Sequence, residues 1–189
     1  MISIRYNTFE TNSSSTHSLA VPKKVEHIPS DVRFHFGDFG WQLEDCIDPA
    51  DYLYTGIVTN SQEIREKYLP KLKEVMERNN IKAKYADYEV SSYKCEDGTM
   101  YCYVDSNYGY VDHSYDLAPF LKWLFEDDDR VLRFISDGLV FTGNDNDDES
   151  SFFINRNKKV LYDWTVGKNR TNPYYMENCD DYDWFYKGN

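Results

Sequence analysis

The chain opens on an alternation: Ile2, Ile4 and Tyr6 against Ser3, Arg5 and Asn7. A period of two marks a strand with one buried face, here Met1–Phe9. The small polar run Thr11–Thr16 ends it. Ser18–Val21 and Val32–Phe36 are further short strands in this reading, and Gly37 and Gly40 bracket a turn around Phe39. Asp48-Pro49 predicts a short helix to about Ile57, since Asp caps a helix start and Pro suits its first position. Ile64, Tyr68, Leu72, Val75 and Met76 recur at helical spacing and predict a helix over Ser61–Arg78. Pro70 is expected to kink or divide it.

Beyond Asn79-Asn80 the period changes again. Ile81–Val90 and Met100–Val104 read as strands joined through Glu96-Asp97-Gly98, where Asp-Gly is a turn signal. Eight tyrosines between Tyr85 and Tyr115 crowd this stretch. Leu117, Phe120, Leu121, Leu124, Val131, Leu132 and Ile135 form one stripe, predicting a second long helix over Asp116–Ser136. Asp128 is its polar gap and Asp137-Gly138 its stop. Leu139–Thr142 reads as a short buried strand, Asn144–Ser150 as a loop, and Phe152–Ile154 and Val160–Val166 as closing strands. The sum is an α+β fold with a mostly antiparallel sheet and two main helices. One domain over residues 1–189 is expected, ending in an acidic, aromatic segment from Thr171 to Asn189.

Composition narrows the class. Aromatic residues make up 17% of the chain, with 17 Tyr and 11 Phe, enough for a real core and unlike a disordered chain. The formal net charge is −12 and uneven: 12 Lys/Arg face 16 Asp/Glu in residues 1–99, and 9 face 17 in residues 100–189. Such a surface repels phosphate backbones and anionic lipid, and favours encounter with a basic protein surface. No apolar stretch approaches the roughly 20 residues that cross a bilayer, and no apolar secretory segment follows Met1. Cys46, Cys95, Cys102 and Cys179 contain no CxxC pair and read as free thiols of a reducing cytoplasm. Zinc binding by these cysteines and the four histidines is the alternative, although their spacing matches no standard finger.

Three stretches are candidate sites. In Glu10–Ser18, a run of hydroxyls beside a carboxylate and a histidine could hold a phosphate or nucleotide. On that reading Arg5, Glu10, Ser15 and His17 are the working groups of an enzyme, His17 serving as base. The competing reading is a turn satisfied by its own Ser, Thr and Asn side chains. Asn144–Glu149 alternates Asp and Asn and could offer oxygens to a divalent cation, but lacks the glycine of a calcium loop, and the favoured reading is a solvated acidic turn with no metal. No cofactor-binding or familiar catalytic signature is present.

The third candidate is distributed acid. Carboxylates cluster at Glu126, Asp127, Asp128 and Asp129, at Asp145, Asp147, Asp148 and Glu149, and at Asp180, Asp181 and Asp183 beside Trp184. Trp164, Tyr174, Tyr175, Trp184 and Phe185 are the aromatic anchors expected with them. A dense carboxylate row can compete for a nucleic-acid channel; it also simply keeps a protein soluble.

Phe9–Ser18, FETNSSSTHS, resembles the opening of a set of small proteins from Firmicutes and their phages, and Thr142–Asn146, TGNDN, resembles a recurring segment of the same set. The resemblance implies a setting, a mobile element acting in a bacterial cytoplasm, and no activity that transfers residue by residue. Small acidic proteins in that setting include inhibitors of host defence nucleases, among them anti-CRISPR proteins. The expectation is therefore an acidic interaction protein that masks the basic nucleic-acid channel of a host nuclease, binding neither nucleic acid nor membrane itself. An enzyme acting at the Asn12–Ser18 loop is the alternative.

Overall fold

The structure, a computed structural model, describes residues 15–40, 47–112, 114–144, 152–155, 160–163, 168–170 and 181–187. The described chain runs β1 (Ser15–Pro22), β2 (Asp31–Phe34), β3 (Asp38–Phe39), α1 (Pro49–Val58), α2 (Gln62–Arg78), β4 (Lys82–Tyr85), β5 (Val90–Lys94) and β6 (Met100–Val104). It continues with β7 (Tyr110–Val111), α3 (Ala118–Leu124), α4 (Asp128–Asp137), β8 (Leu139–Asn144), β9 (Phe152–Asn155), β10 (Val160–Asp163), β11 (Lys168–Arg170) and β12 (Tyr182–Lys187). The fold is α+β.

The centre is α1. Every residue from Tyr52 to Val58 is buried, and a helix apolar all round belongs inside. Asp48 caps it, accepting from the Ala50 and Asp51 N–H groups, with Pro49 in the first turn. Around α1 one continuous core gathers Leu19, Val21, Phe34, Leu72, Met76, Leu121, Leu124, Val131, Phe134 and Val140. Each such side chain contributes about 1.5–3 kcal/mol by leaving water.

The strands form several small sheets rather than one. β1 lies between β12 and β8, both antiparallel to it, and β10 lies between β9 and β11, again antiparallel. β5 and β6 form an antiparallel hairpin. Two pairs are parallel, β2 with β4 and β3 with β7. The first follows from the intervening α1 and α2, because parallel strands need a long crossover.

Three expected elements change shape. Ile81–Val90 is not one strand: β4 pairs with β2, the Ala86 N–H bonds Phe34 O, the Tyr54 hydroxyl donates to Ala86 O at 2.6 Å, and β5 starts anew at Val90. The long helix over 116–136 is two, because Asp127 takes an extended backbone and caps α4 through the Asp129 N–H. Asp128, the gap in the stripe, sits in the first turn of that second helix, where negative charge meets the positive helix end. Pro70, by contrast, leaves α2 one unbroken helix of 17 residues; Pro70 is exposed, and Leu69, Leu72, Val75 and Met76 hold the helix to the core on the other side. The turn expected at Phe39 is strand β3, whose partner chain at Gly109 passes so close that a Cβ there would lie 2.6 Å from Gly37 O. The Met1–Phe9 strand and the Asn144–Ser150 loop beyond Asn144 fall outside the described residues.

Candidate interaction surface

β1 joins the two resemblance segments. Ser15 lies opposite Asn144, Thr16 opposite Gly143, and His17 opposite Thr142, so the end of FETNSSSTHS and the start of TGNDN are neighbouring strands. His17 is wholly buried. Its Nε2 lies 3.2 Å from Gly40 O, which can only accept, so Nε2 carries the proton. Nδ1 then accepts at 2.7 Å from the Tyr52 hydroxyl, which burial holds well above the usual tyrosine range and therefore protonated. Both ring nitrogens are engaged inside the core. Ser18 is 2% exposed and its hydroxyl finds no hydrogen-bond partner among the described residues. Of the other groups proposed there, Arg5 and Glu10 lie outside the described residues, and Ser15 is described only by its place in β1.

The acidic clusters fare differently from one another. At Glu126–Asp129 the carboxylates are answered one by one. Asp128 receives both the Nε and an Nη of Arg78, at 3.0 and 2.9 Å. Asp129 pairs with Arg133 at 2.9 Å and Glu126 with Arg130 at 3.4 Å, while Asp127 caps α4. Arg130 also lies over the Trp123 ring, 4.3 Å from its centroid. Asp181 is exposed and Asp183 half-buried opposite Val21. Asp145, Asp147, Asp148, Glu149 and Asp180, with Trp164, Tyr174 and Tyr175, lie outside the described residues. Trp184 is placed only through its backbone, opposite Ala20. Phe185, expected as an interface anchor, instead packs inward, 4.4 Å from Trp123 and 5.2 Å from Phe120.

An open depression of about 790 Å³ lies among Asp31, His35, Asp48, Ser136 and Asp137, with His27 at its rim. Part of its lining is occupied locally: Asp48 caps α1, the Ser136 hydroxyl donates to Leu132 O, and the His35 N–H donates to Asp51 at 2.6 Å. Burial raises the Asp51 carboxyl, against that bond. Among the described residues no group of three His, Cys, Asp or Glu side chains could hold a metal.

The hairpin β5–β6 has a different character. Its turn is built as the sequence dictates: Gly98 takes φ +88°, the Gly98 N–H bonds Cys95 O, and the Thr99 N–H bonds Asp97 Oδ1. That turn sets Tyr93 opposite Tyr101 and Ser91 opposite Tyr103, all on one face. The face is open to water: Tyr93 is 53% exposed, Tyr101 49% and Tyr103 44%. The Tyr93 and Tyr101 rings stack at 5.4 Å, with the Tyr103 ring edge-on to Tyr93 at 6.0 Å. The opposite face is open too at Val90 and Met100, 51% and 53% exposed, while the half-buried Cys102 lines a groove beside α2 with Val90, Leu69 and Pro70. Val104 enters the core.

One buried arginine fixes the hairpin to the body. Arg65, 5% exposed, donates to Val58 O at 3.1 Å and Asn60 O at 3.2 Å, and to Cys102 O of β6 at 3.4 Å. Val58 is the last residue of α1 and Asn60 follows its cap, so the guanidinium also meets the negative end of that helix. The segment that carries the tyrosine face is acidic: Asp87, Glu89, Glu96, Asp97 and Asp105 against the single Lys94 in residues 86–110. Among the described residues none of the five forms an ion pair. The Thr99 N–H holds the Asp97 carboxyl below the usual aspartate range, so it stays ionised into acid.

The sequence reading missed this face although its signal was present. Ser91/Tyr93 and Tyr101/Tyr103 alternate with a period of two about an Asp-Gly turn, which is enough to put the three rings together. No helix among the described residues is long and apolar enough to cross a membrane. No protein-family model, no curated protein and no solved structure matches the chain.

Proposed function

We propose that this chain is an acidic interaction protein that binds a basic surface on a protein partner that handles nucleic acid. By covering the partner's nucleic-acid channel it would act as an inhibitor. A CRISPR effector nuclease in the bacterial cytoplasm is the partner class implied by the setting of the FETNSSSTHS opening. One observation carries the reading: a hairpin bears three open tyrosines within a segment, residues 86–110, whose five carboxylates form no ion pair among the described residues, in a chain of net charge −12. Opposite potentials speed encounter, and tyrosines supply contact area at low entropic cost.

The test is binding and cleavage. Purified effector nucleases are titrated with the full chain at about 0.05 M and about 0.5 M salt, where screening differs severalfold in range. The reading expects saturable binding at low salt that weakens steeply as salt rises, with loss of substrate cleavage in proportion to occupancy. Absence of binding to every nuclease at low salt contradicts it.

A further inference from the structure

We infer that the tyrosine face of β5–β6 recognises arginine side chains, so that the partner segment it accepts is arginine-bearing rather than merely cationic. This rests on the interaction reading above and names the chemistry of its site.

Two physical facts combine here. A guanidinium is planar and weakly hydrated and stacks flat on an aromatic ring, while its edge donors bond carboxylates two at a time; a lysine ammonium does neither as well. The face offers both halves of that recognition. Its rings are the π surfaces of Tyr93, Tyr101 and Tyr103, and the acceptors are the carboxylates of Glu89 before β5 and of Glu96 and Asp97 at the turn.

Elsewhere in the chain cations already sit over aromatic rings: Lys67 and Lys71 over Tyr68, Lys73 over Tyr85, and Arg130 over Trp123. Among the described residues no cation lies over Tyr93, Tyr101 or Tyr103. Three large rings half open to water on a two-stranded hairpin are costly to leave uncovered, and two strands alone bury little. Bases of single-stranded nucleic acid also stack on tyrosine, but a segment with five carboxylates and one lysine opposes a phosphate backbone. The occupant that satisfies both the rings and the charge is an arginine-rich protein segment.

The experiment uses the full chain with three fluorescent probes: an octa-arginine peptide, an octa-lysine peptide of equal charge, and a single-stranded oligonucleotide. Octa-arginine is expected to bind at least about fivefold tighter than octa-lysine, the scale of a stacked cation over an aromatic ring. Tyr93→Leu with Tyr101→Leu should remove that preference while octa-lysine binding stays unchanged. Tyr93→Phe with Tyr101→Phe should keep it, because the ring and not the hydroxyl carries the contact. The phenylalanine pair also keeps the test valid should the leucine pair not fold. Equal binding of the two peptides overturns this inference and leaves the acidic interaction reading standing. Tighter binding of the oligonucleotide than of either peptide overturns both, as does failure of both peptides to bind at low salt.

Discussion

At Glu126–Asp129 four consecutive carboxylates meet three arginines and a helix N-terminus; across residues 86–110 five carboxylates meet one lysine and, among the described residues, no ion-pair partner. By sequence the first stretch is the denser charge. By structure it is the quieter one, because Arg78, Arg130 and Arg133 fall within 2.9–3.4 Å of its oxygens. Surface pairs of this kind contribute little stability, but each removes a charge from the field that a distant partner senses. Acidic density along the chain and acidic potential at the surface are therefore different quantities, and side-chain pairing separates them. The aromatic residues divide in the same way. Trp123 and Phe185 beside the first stretch are packed against each other, whereas Tyr93, Tyr101 and Tyr103 beside the second face water.

The comparison breaks most visibly at the anchor. Arg65→Ala removes three hydrogen bonds from a buried guanidinium and is expected to lower stability by about 2–4 kcal/mol, read as a shift in the denaturant midpoint. Amide exchange should accelerate most in β5 and β6, since Cys102 O loses its tie to α2. Equal acceleration in α4 and the hairpin would mean that the hairpin is not separately anchored.

Charge comes next. Glu89→Lys with Glu96→Lys reverses two unpaired charges and should weaken binding of a cationic peptide by about tenfold at low salt, shrinking as salt rises. Glu126→Gln with Asp129→Asn removes two carboxylates already answered by Arg130 and Arg133, and should change the same affinity by less than about twofold. A reversed order of these two effects would return the binding surface to the α3–α4 junction.

Acid gives the smallest effect on folding, because two shifted groups oppose each other. Burial raises Asp51, so the unfolded chain releases its proton first and stability falls as pH rises through the folded value. A backbone N–H lowers Asp97, so its contribution is present above the unfolded value near 3.8 and is lost as pH falls through the depressed one. Peptide binding, in contrast, should persist into acid while Asp97 stays ionised and fall as its depressed carboxyl protonates. A pH titration of affinity beside one of the unfolding midpoint separates the two.

Much of the architecture was legible in the chain. The Asp48-Pro49 start, the Ser61 cap of α2, the Gly98 turn and the buried stripe from Leu117 to Ile135 each carry a local signal, and the structure has each of them. What escaped was decided by contacts distant in sequence. The break before α4 is a cap that a periodic stripe conceals, since Leu124 and Val131 keep helical phase across it. The division of Ile81–Val90 comes from Phe34 and Tyr54, some 30 to 50 residues away. At the candidate sites, spacing could not foretell that His17 would meet Tyr52 and Gly40 inside the core, nor that Asp128 would meet Arg78. The tyrosine face was written in a period of two, but nothing local states that its rings stay uncovered.

The central claim is that binding charge and contact area lie on the hairpin and not at the denser acidic junction. It is tested most directly by amide chemical-shift mapping of the ¹⁵N-labelled full chain titrated with octa-arginine. Shifts concentrated in residues 89–105, with Glu126–Asp129 unmoved, are the predicted result. Shifts centred on Glu126–Asp129 while the hairpin stays silent would contradict it.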